Sequence, residues 1–350
     1  MTNRAVGTAL VGYGFAGKTL HAPLIRSVPG LRLAAIVSSN EAKVKADLPD
    51  VPVAATAEQV LADPRVELMV IATPNDSHFD LARRALAARK HVVIDKPFTT
   101  TVAEAMELIG AAERAGRLLS VFHCRRWDAD FRTVRQVIAS GELGDVMHFE
   151  SHYDRYRPAV VPRWRERPGP GSGIWFDLGS HLADQALQLF GAPEAVYGDL
   201  AVQRRGAEAV DYFHVLLRYG NRRVVLHGSN LFAESSRRFE VHGTKGSYIK
   251  TGMDPQEPAM RRGERPGGPG WGIDPNDGIL TAWVNNTAQA RRVETLPGDY
   301  REYYQAMGRA IREGAPNPVS PFEALAAMAV LEIACRSSEQ LRELALSSVI

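Results

Sequence analysis

Ala5-Val-Gly-Thr-Ala-Leu-Val11-Gly12-Tyr-Gly14-Phe-Ala-Gly17-Lys18 decides the fold. The apolar run Ala5–Val11 reads as a short strand, and the stretch from Phe15 to Ser27 reads as a helix. Between them stands a complete G-x-G-x-x-G. Three glycines in a row of six are common, but a strand before them and a helix after them are not. In that setting Gly12 makes the tight turn, Gly14 lets backbone approach a pyrophosphate, and Gly17 lets the helix pack against the strand. Phe15 and Ala16 lie in the same loop. The helix N-terminus offers free N–H groups and a positive dipole end to phosphates. A structural turn with no ligand is the competing reading, and the surrounding βαβ pattern weighs against it.

Working outward, Leu31–Val37, Glu67–Ala72, His91–Asp95 and Leu118–His123 read as further strands. Helical stretches, Glu41–Asp47 and Ser77–Arg89 among them, separate them. Thr56-Ala-Glu-Gln59 and Thr101-Val-Ala-Glu104 are capping boxes, and Gly116 stands where the second of these helices should stop. Strands spaced by helices imply parallel βαβ units. Residues 1–123 are therefore expected to form a doubly wound Rossmann domain.

From about residue 145 the texture changes. Val146–Tyr153, Ala195–Arg204, Asp211–Tyr219, Arg222–Ser229 and Arg238–His242 read as strands, with turn signals at Gly220-Asn221 and Gly243-Thr-Lys-Gly246. A helix, Leu178–Phe190, is inserted, and helices near Tyr300–Glu313 and Pro321–Arg342 close the chain. Residues 124–350 are expected to form a second α/β domain with a large, mostly antiparallel open sheet. Two segments rich in glycine and proline, Arg157–Gly173 and Thr251–Gly278, read as long loops.

Composition narrows the function. A net charge of +2 over 350 residues gives no basis for nucleic-acid binding. No apolar run approaches the ~20 residues that span a bilayer. The N-terminal stretch lacks the pattern of a secretory signal. Two cysteines, Cys124 and Cys335, stand far apart in no metal-like spacing. A cytoplasmic protein without membrane partners is the expectation.

The cofactor's identity is sought at the end of the second strand, where NAD-selective sites carry an acid. From Lys18 to Asn40 there is none. Val37-Ser38-Ser39-Asn40 is followed by Lys43 and Lys45, so hydroxyls and ammonium groups stand where a 2′-phosphate would sit. This favours NADP over NAD, unless both lysines simply face water.

Two further groups point to chemistry. Lys96, in Val93-Ile-Asp95-Lys96-Pro97, stands at a strand's carboxyl end, where ligands of doubly wound sheets bind. It could hold a hydroxyl or carbonyl oxygen, or it could be a surface lysine. In Asp177-Leu-Gly-Ser-His181-Leu-Ala-Asp184, the spacing i, i+4, i+7 puts Asp177, His181 and Asp184 on one helix face. A histidine suits proton exchange near neutral pH. Alternatively, Asp177 is a helix cap and His181 a first-turn residue. No further ligands stand at a matching spacing, so no metal is expected in this segment.

Taken together, Gly12–Gly17, Asp95-Lys96-Pro97 and Gly173–Asp184 resemble the Gfo/Idh/MocA oxidoreductases along essentially the whole chain. Asp95 replaces the family's Glu. Gly12–Leu24, His123–Phe131, Asp177–Gln185, His242–Lys250 and Asp254-Pro-Gln-Glu257 are most similar to its NADP-type scyllo-inositol dehydrogenase branch. The resemblance implies Lys96, Asp177 and His181 as the catalytic set. It implies Thr73, Pro74, Asn75 and His78, with Asp95 and Lys96, as cofactor contacts. Arg125, Tyr153 and Trp164, with Arg126 and Trp127, are expected near the substrate. It further implies a homodimer or homotetramer formed through the C-terminal sheet. The expected activity is hydride transfer between NADP and a secondary hydroxyl or ketone of a cyclitol or sugar. The alternatives are a dinucleotide-binding sensor, and an enzyme acting on a sugar nucleotide or another secondary-metabolite sugar.

Overall fold

Strand β1 (Val6–Val11) is buried along its whole length, as a strand covered on both faces must be. In the computed structural model, which describes residues 4–234 and 237–348, it lies at the centre of a six-stranded sheet. The order is β3-β2-β1-β4-β5-β6, with β2 (Leu31–Val37), β3 (Val53–Ala54), β4 (Leu68–Ile71), β5 (His91–Asp95) and β6 (Leu119–Phe122). Every pairing is parallel. The order reverses beside β1, and this is the switch point at which doubly wound sheets bind ligands.

The helix after the glycines is not uniform. Gly17–His21 is wound as a π-helix, and Ala22–Ser27 (α1) that follows is α-helical. Helices α2 (Glu41–Asp47), α3 (Ala57–Leu61), α4 (His78–Ala87) and α5 (Val102–Ala115) flank the sheet. Both capping threonines act at their helix starts. At α3 the box with Gln59 is complete. At α5, Thr101 accepts from the Glu104 amide, but the Glu104 carboxylate turns to the amide and hydroxyl of Thr100.

Two compact units divide the chain. The first comprises residues 1–124, 256–271 and 299–325; the second comprises 125–255, 272–298 and 326–350. The late segments join the first unit for a packing reason. Tyr303 and Tyr304 of α9 (Arg301–Glu313) are fully buried against Phe122 and His21. Tyr304 Oη lies 2.6 Å from His21 Nδ1, and the Tyr303 hydroxyl donates to Ser120 Oγ at 2.8 Å. Each buried ring contributes roughly 1.5–3 kcal/mol, more than the local propensity of any short strand.

The second unit carries a nine-stranded sheet of order β14-β13-β12-β11-β7-β10-β9-β8-β15. Its strands are β7 (Val146–His152), β8 (Ala195–Ala201), β9 (Tyr212–Tyr219), β10 (Arg222–Ser229), β11 (Phe239–Gly243), β12 (Gly246–Lys250), β13 (Gly278–Val284), β14 (Thr287–Val293) and β15 (Leu344–Ala345). All pairings are antiparallel except β7 with β10. The hairpin at Gly220-Asn221 joins β9 to β10. One face of this sheet buries Phe149, Phe213 and Phe239. Trp175 packs on Phe213 at 5.0 Å and donates from Nε1 to the Leu331 carbonyl at 3.0 Å.

Several elements escape the sequence expectations. Helix α6 (Ala129–Ala139) and strands β12, β13 and β14 lie in stretches with no assigned structure. The segment 251–278, expected as loop, contains the short helix α8 (Gln256–Arg261). Strands β13 and β14 are mostly half-exposed or exposed, so their sequences carry little of the apolar alternation that marks a strand.

Candidate active site

The three glycines each meet a different constraint. Gly12 has φ +97°, and a Cβ there would stand 2.5 Å from the Ala72 carbonyl oxygen. A Cβ on Gly17 would lie 2.1 Å from the Gly12 carbonyl oxygen, so the helix meets the loop backbone directly. At Gly14 a Cβ would meet nothing within 4 Å, which leaves an open cradle where backbone can approach a bound phosphate. Phe15, at the loop's tip, is half-exposed and carries the Arg261 guanidinium at 4.4 Å from its ring centre. Arg261 ends α8, which gives the glycine- and proline-rich segment a place beside the loop. Gln256 Oε1 anchors it by accepting from Trp271 Nε1 and the Tyr300 amide.

At the end of β2, the Lys43 ammonium returns to the glycine loop and donates to the Tyr13 carbonyl at 3.0 Å. Lys45 does not join it, because its ammonium is held by the Pro49 and Val51 carbonyls. Ser38 accepts from the Asn40 amide, and Asn40 caps α2 through the Lys43 amide; Ser39 is exposed. Nearby, Asp47 takes bonds from Tyr13 Oη at 3.2 Å and Lys18 Nζ at 2.9 Å. Partial burial, then the Asp47 charge and bond, push the Tyr13 phenol up to about 12. Tyr13, Lys18, Arg26, Asp47, Arg261 and Arg265 line a cleft of about 750 Å³ beside the loop. Arg261 and Arg265 of the 251–278 segment were missed in sequence; only the unusual Asp254-Pro-Gln-Glu257 run marked the place.

The turns after β4 and β5 are tied together. His78 is fully buried, and its ring spans two carbonyls, with Nδ1 3.0 Å from Pro97 O and Nε2 3.0 Å from Thr73 O. Burial holds this imidazole below its ordinary range, although Asp95 and the carbonyls favour its charged form. Within the turn, Ser77 Oγ donates to the Pro74 carbonyl and lies 2.6 Å from Thr73 Oγ1, and Asn75 is buried. His78 thus acts as a brace.

Asp95 is also buried. It accepts from the Lys96 amide at 3.0 Å and faces His21 Nε2 at 3.6 Å. Burial alone would raise its carboxyl, but His21, Lys96 and His78 outweigh it and hold the group below the carboxylate range. Lys96 itself is buried at the β5 carboxyl end, which removes the reading of it as a surface lysine.

In the second unit, Asp177 lies inside a π-helical turn, Trp175–Gly179, which runs directly into α7 (Ser180–Phe190). It is therefore not the helix cap that was the alternative reading. Asp177 Oδ1 stands 3.4 Å from Arg165 Nε, and Arg165 stacks over Trp164 at 4.3 Å. His181 is buried on the first turn of α7. Asp184, expected on the same face, is taken by Arg126 in a two-armed pair of 2.9 and 2.6 Å. Arg125 donates to Tyr153 Oη at 2.8 Å and to Asp128 at 3.2 Å, and all three are buried.

The loop that carries Trp164 is bolted down. Buried Arg204 donates to Asp211 at 2.8 Å, to Glu166 at 2.5 Å, and to the Arg157 and Ala159 carbonyls. Burial works against its charge, but the two carboxylates prevail and raise its pKa.

Residues 6–123 match the family model "Oxidoreductase family, NAD-binding Rossmann fold", and residues 135–346 match "Oxidoreductase family, C-terminal alpha/beta domain", the two halves of one family. The chain belongs to the Gfo/Idh/MocA oxidoreductases. It is 49% identical to the uncharacterized oxidoreductase YdgJ of Escherichia coli over 98% of this chain and 99% of that one. It is 38% identical to scyllo-inositol 2-dehydrogenase (NADP(+)) IolW of Bacillus subtilis over 97% and 96%. Among solved structures, a putative oxidoreductase from Yersinia pestis superposes with a TM-score of 0.95 at 49% identity, covering 99% of both chains. YvaA of Bacillus subtilis gives 0.96 at 37% identity, again covering 99% of both. Gfo/Idh/MocA membership makes the chain an oxidoreductase with a nicotinamide-binding Rossmann domain. The glycine loop fits that cofactor: Gly14 leaves the cradle open, and a helix N-terminus follows it.

Proposed function

We propose that this chain is an NADP-dependent dehydrogenase that exchanges a hydride with a secondary hydroxyl or ketone of a cyclitol or sugar. The observation that carries the reading is Lys96, a buried ammonium at the carboxyl end of β5 whose backbone is fixed by Asp95. The nicotinamide supplies the hydride acceptor when bound. Lys96 holds the reacting oxygen and favours charge on it. His181 removes the hydroxyl proton, and Asp177 orients the pair. Residues 1–123, with the later segments that fold into the same unit, serve the cofactor, and the rest of 124–350 serves the substrate.

On this reading Gly12, Gly14, Phe15, Ala16 and Gly17 surround the pyrophosphate, and Ser38, Ser39 and Lys43 receive the 2′-phosphate. The acid-free end of β2 and the Lys43 ammonium beside Tyr13 support NADP. Thr73, Pro74 and Asn75 bear on the nicotinamide half, with His78 acting through the brace. Arg125, Tyr153 and Trp164 shape the substrate pocket. Among the described residues no helix is long and apolar enough to cross a membrane. A cytoplasmic homodimer or homotetramer, joined through the C-terminal sheet, completes the proposal.

The test follows NADPH absorbance with a panel of polyols, cyclitols and ketoses. Lys96→Ala and His181→Ala should each lower kcat by roughly 10²–10⁴, the usual worth of acid–base catalysis. Near-normal turnover in both variants would overturn the assignment. Cofactor binding without turnover on any substrate would point instead to a sensor.

A further inference from the structure

Five of the ten histidines stand on the face of the nine-stranded sheet opposite its phenylalanine core. His148, Glu150 and His152 alternate with Phe149 and Ser151 along β7. In the parallel register His152 pairs with His227 of β10, and His227 in turn pairs with His214 of β9. His242 pairs with His148 from β11. Two residues past His152, Asp154 reaches into the same cluster.

We propose that His152, Asp154 and His227 form a site for one divalent transition-metal ion, best suited to Zn²⁺. One ligand atom from each lies within 4.8 Å of the others. His227 Nδ1 stands 3.0 Å from Asp154 Oδ1, and His152 Nδ1 stands 3.7 Å from Asp154 Oδ2. Tetrahedral zinc with ligands at ~2.0–2.1 Å holds neighbouring ligand atoms about 3.3 Å apart. The separations of 3.0 and 3.7 Å lie on either side of that value, one from each carboxylate oxygen, so Asp154 presents an oxygen to each imidazole.

The second observation is a pair of buried atoms. His227 is 6% exposed and Asp154 is 9% exposed. His227 Nδ1 and Asp154 Oδ1 are both shut away from solvent, and neither makes a well-directed hydrogen bond among the described residues. They face each other at 3.0 Å without a directed hydrogen bond, and a cation held between them would satisfy both.

The surroundings match those of a metal-binding histidine. Glu150 Oε2 lies 2.9 Å from His152 Nε2, and Glu150 Oε1 lies 2.7 Å from His148 Nε2. A carboxylate on the far nitrogen fixes the tautomer, leaving the Nδ1 lone pair turned toward Asp154. Phe232, at 4.9 Å, and Tyr212, at 5.4 Å, wall the His227 ring. Two imidazoles and one carboxylate leave a fourth position for water.

The experiment uses the full-length chain, stripped with EDTA and titrated with ZnCl₂ by calorimetry, with CoCl₂ as a spectroscopic stand-in. The expected result is one zinc per chain, and a visible spectrum of four-coordinate Co²⁺. Asp154→Asn and His152→Ala should abolish stoichiometric binding. Glu150→Gln should weaken it by roughly 10–100-fold, because it removes the partner of a ligand and not a ligand. His227→Ala opens a buried site and risks misfolding, so the near-isosteric Asp154→Asn and Glu150→Gln decide. No stoichiometric zinc on the wild-type chain overturns the proposal. Equal binding by wild type, Asp154→Asn and His152→Ala overturns it too, by assigning the metal to scattered surface histidines.

Discussion

Replacing Gly14 with alanine separates ligand binding from folding. A Cβ at this position meets no protein atom within 4 Å, and the residue does not adopt positive φ. The folded protein therefore has room for the methyl group. Less backbone freedom in the unfolded chain should leave stability unchanged or raise it by about 0.4–1 kcal/mol. The same methyl group fills the cradle into which a pyrophosphate must settle. Losing one charge-assisted hydrogen bond to a phosphate costs about 1.5–3 kcal/mol. At ~1.4 kcal/mol per tenfold, the Kd for NADPH should rise roughly 10- to 100-fold. Gly17→Ala is the control. Its Cβ would lie 2.1 Å from the Gly12 carbonyl oxygen, so the helix must shift, at about 1–3 kcal/mol. Calorimetric titration with NADPH and thermal melts on both variants give the answer. Unchanged NADPH affinity in a well-folded Gly14→Ala protein would refute the reasoning, because the open space would then not be where the phosphates lie.

Three more outcomes are expected. Ser39→Asp places a carboxylate at the exposed end of β2, where like-charge repulsion of ~1 kcal/mol or more should weaken NADP at least about fivefold while sparing NAD; equal loss for both cofactors in competitive titrations would count against the 2′-phosphate assignment. Arg204→Met leaves Glu166 and Asp211 buried without their cation, so denaturant unfolding should show a loss of about 3–5 kcal/mol; a loss under 1 kcal/mol would show that the loop is held by other means. Glu67 is held down to about 2, first by its two bonds from Arg312. A depressed carboxylate contributes stability that is complete above its unfolded value near 4.5 and is lost as pH falls through about 2. Arg312→Met should therefore flatten the acid limb of the stability curve between those values, and an unaltered limb would refute this.

The first 123 residues were legible because their elements obey local rules. β2, α2 and β5 lie on the predicted residues, since parallel buried strands read as continuous apolar runs and helices begin at capping side chains. What failed was decided by packing. Nothing local announces that Gly17–His21 winds as a π-helix, whose first residue packs against the Gly12 carbonyl and whose last, His21, meets the distant Tyr304 hydroxyl. Helix α6 hid behind the motif-like His123–Phe131. Among the candidate site residues, Lys96 and His181 were singled out by motif, while the partners of Lys45 and Asp184 were not foreseen, because a charged side chain's partner is chosen in three dimensions. The His152, Asp154 and His227 cluster was invisible for the same reason: its members belong to strands paired across the sheet, so no sequence spacing marks them.

The chain passes between its two units five times. An engineer who joined the first 124 residues to another protein would carry away the glycine loop but leave behind Tyr303 and Tyr304, which pack against His21 and Phe122, and Arg261, which covers Phe15. The cofactor half is thus not a portable cassette. A recombinant that kept this unit intact would have to exchange three stretches of the chain together.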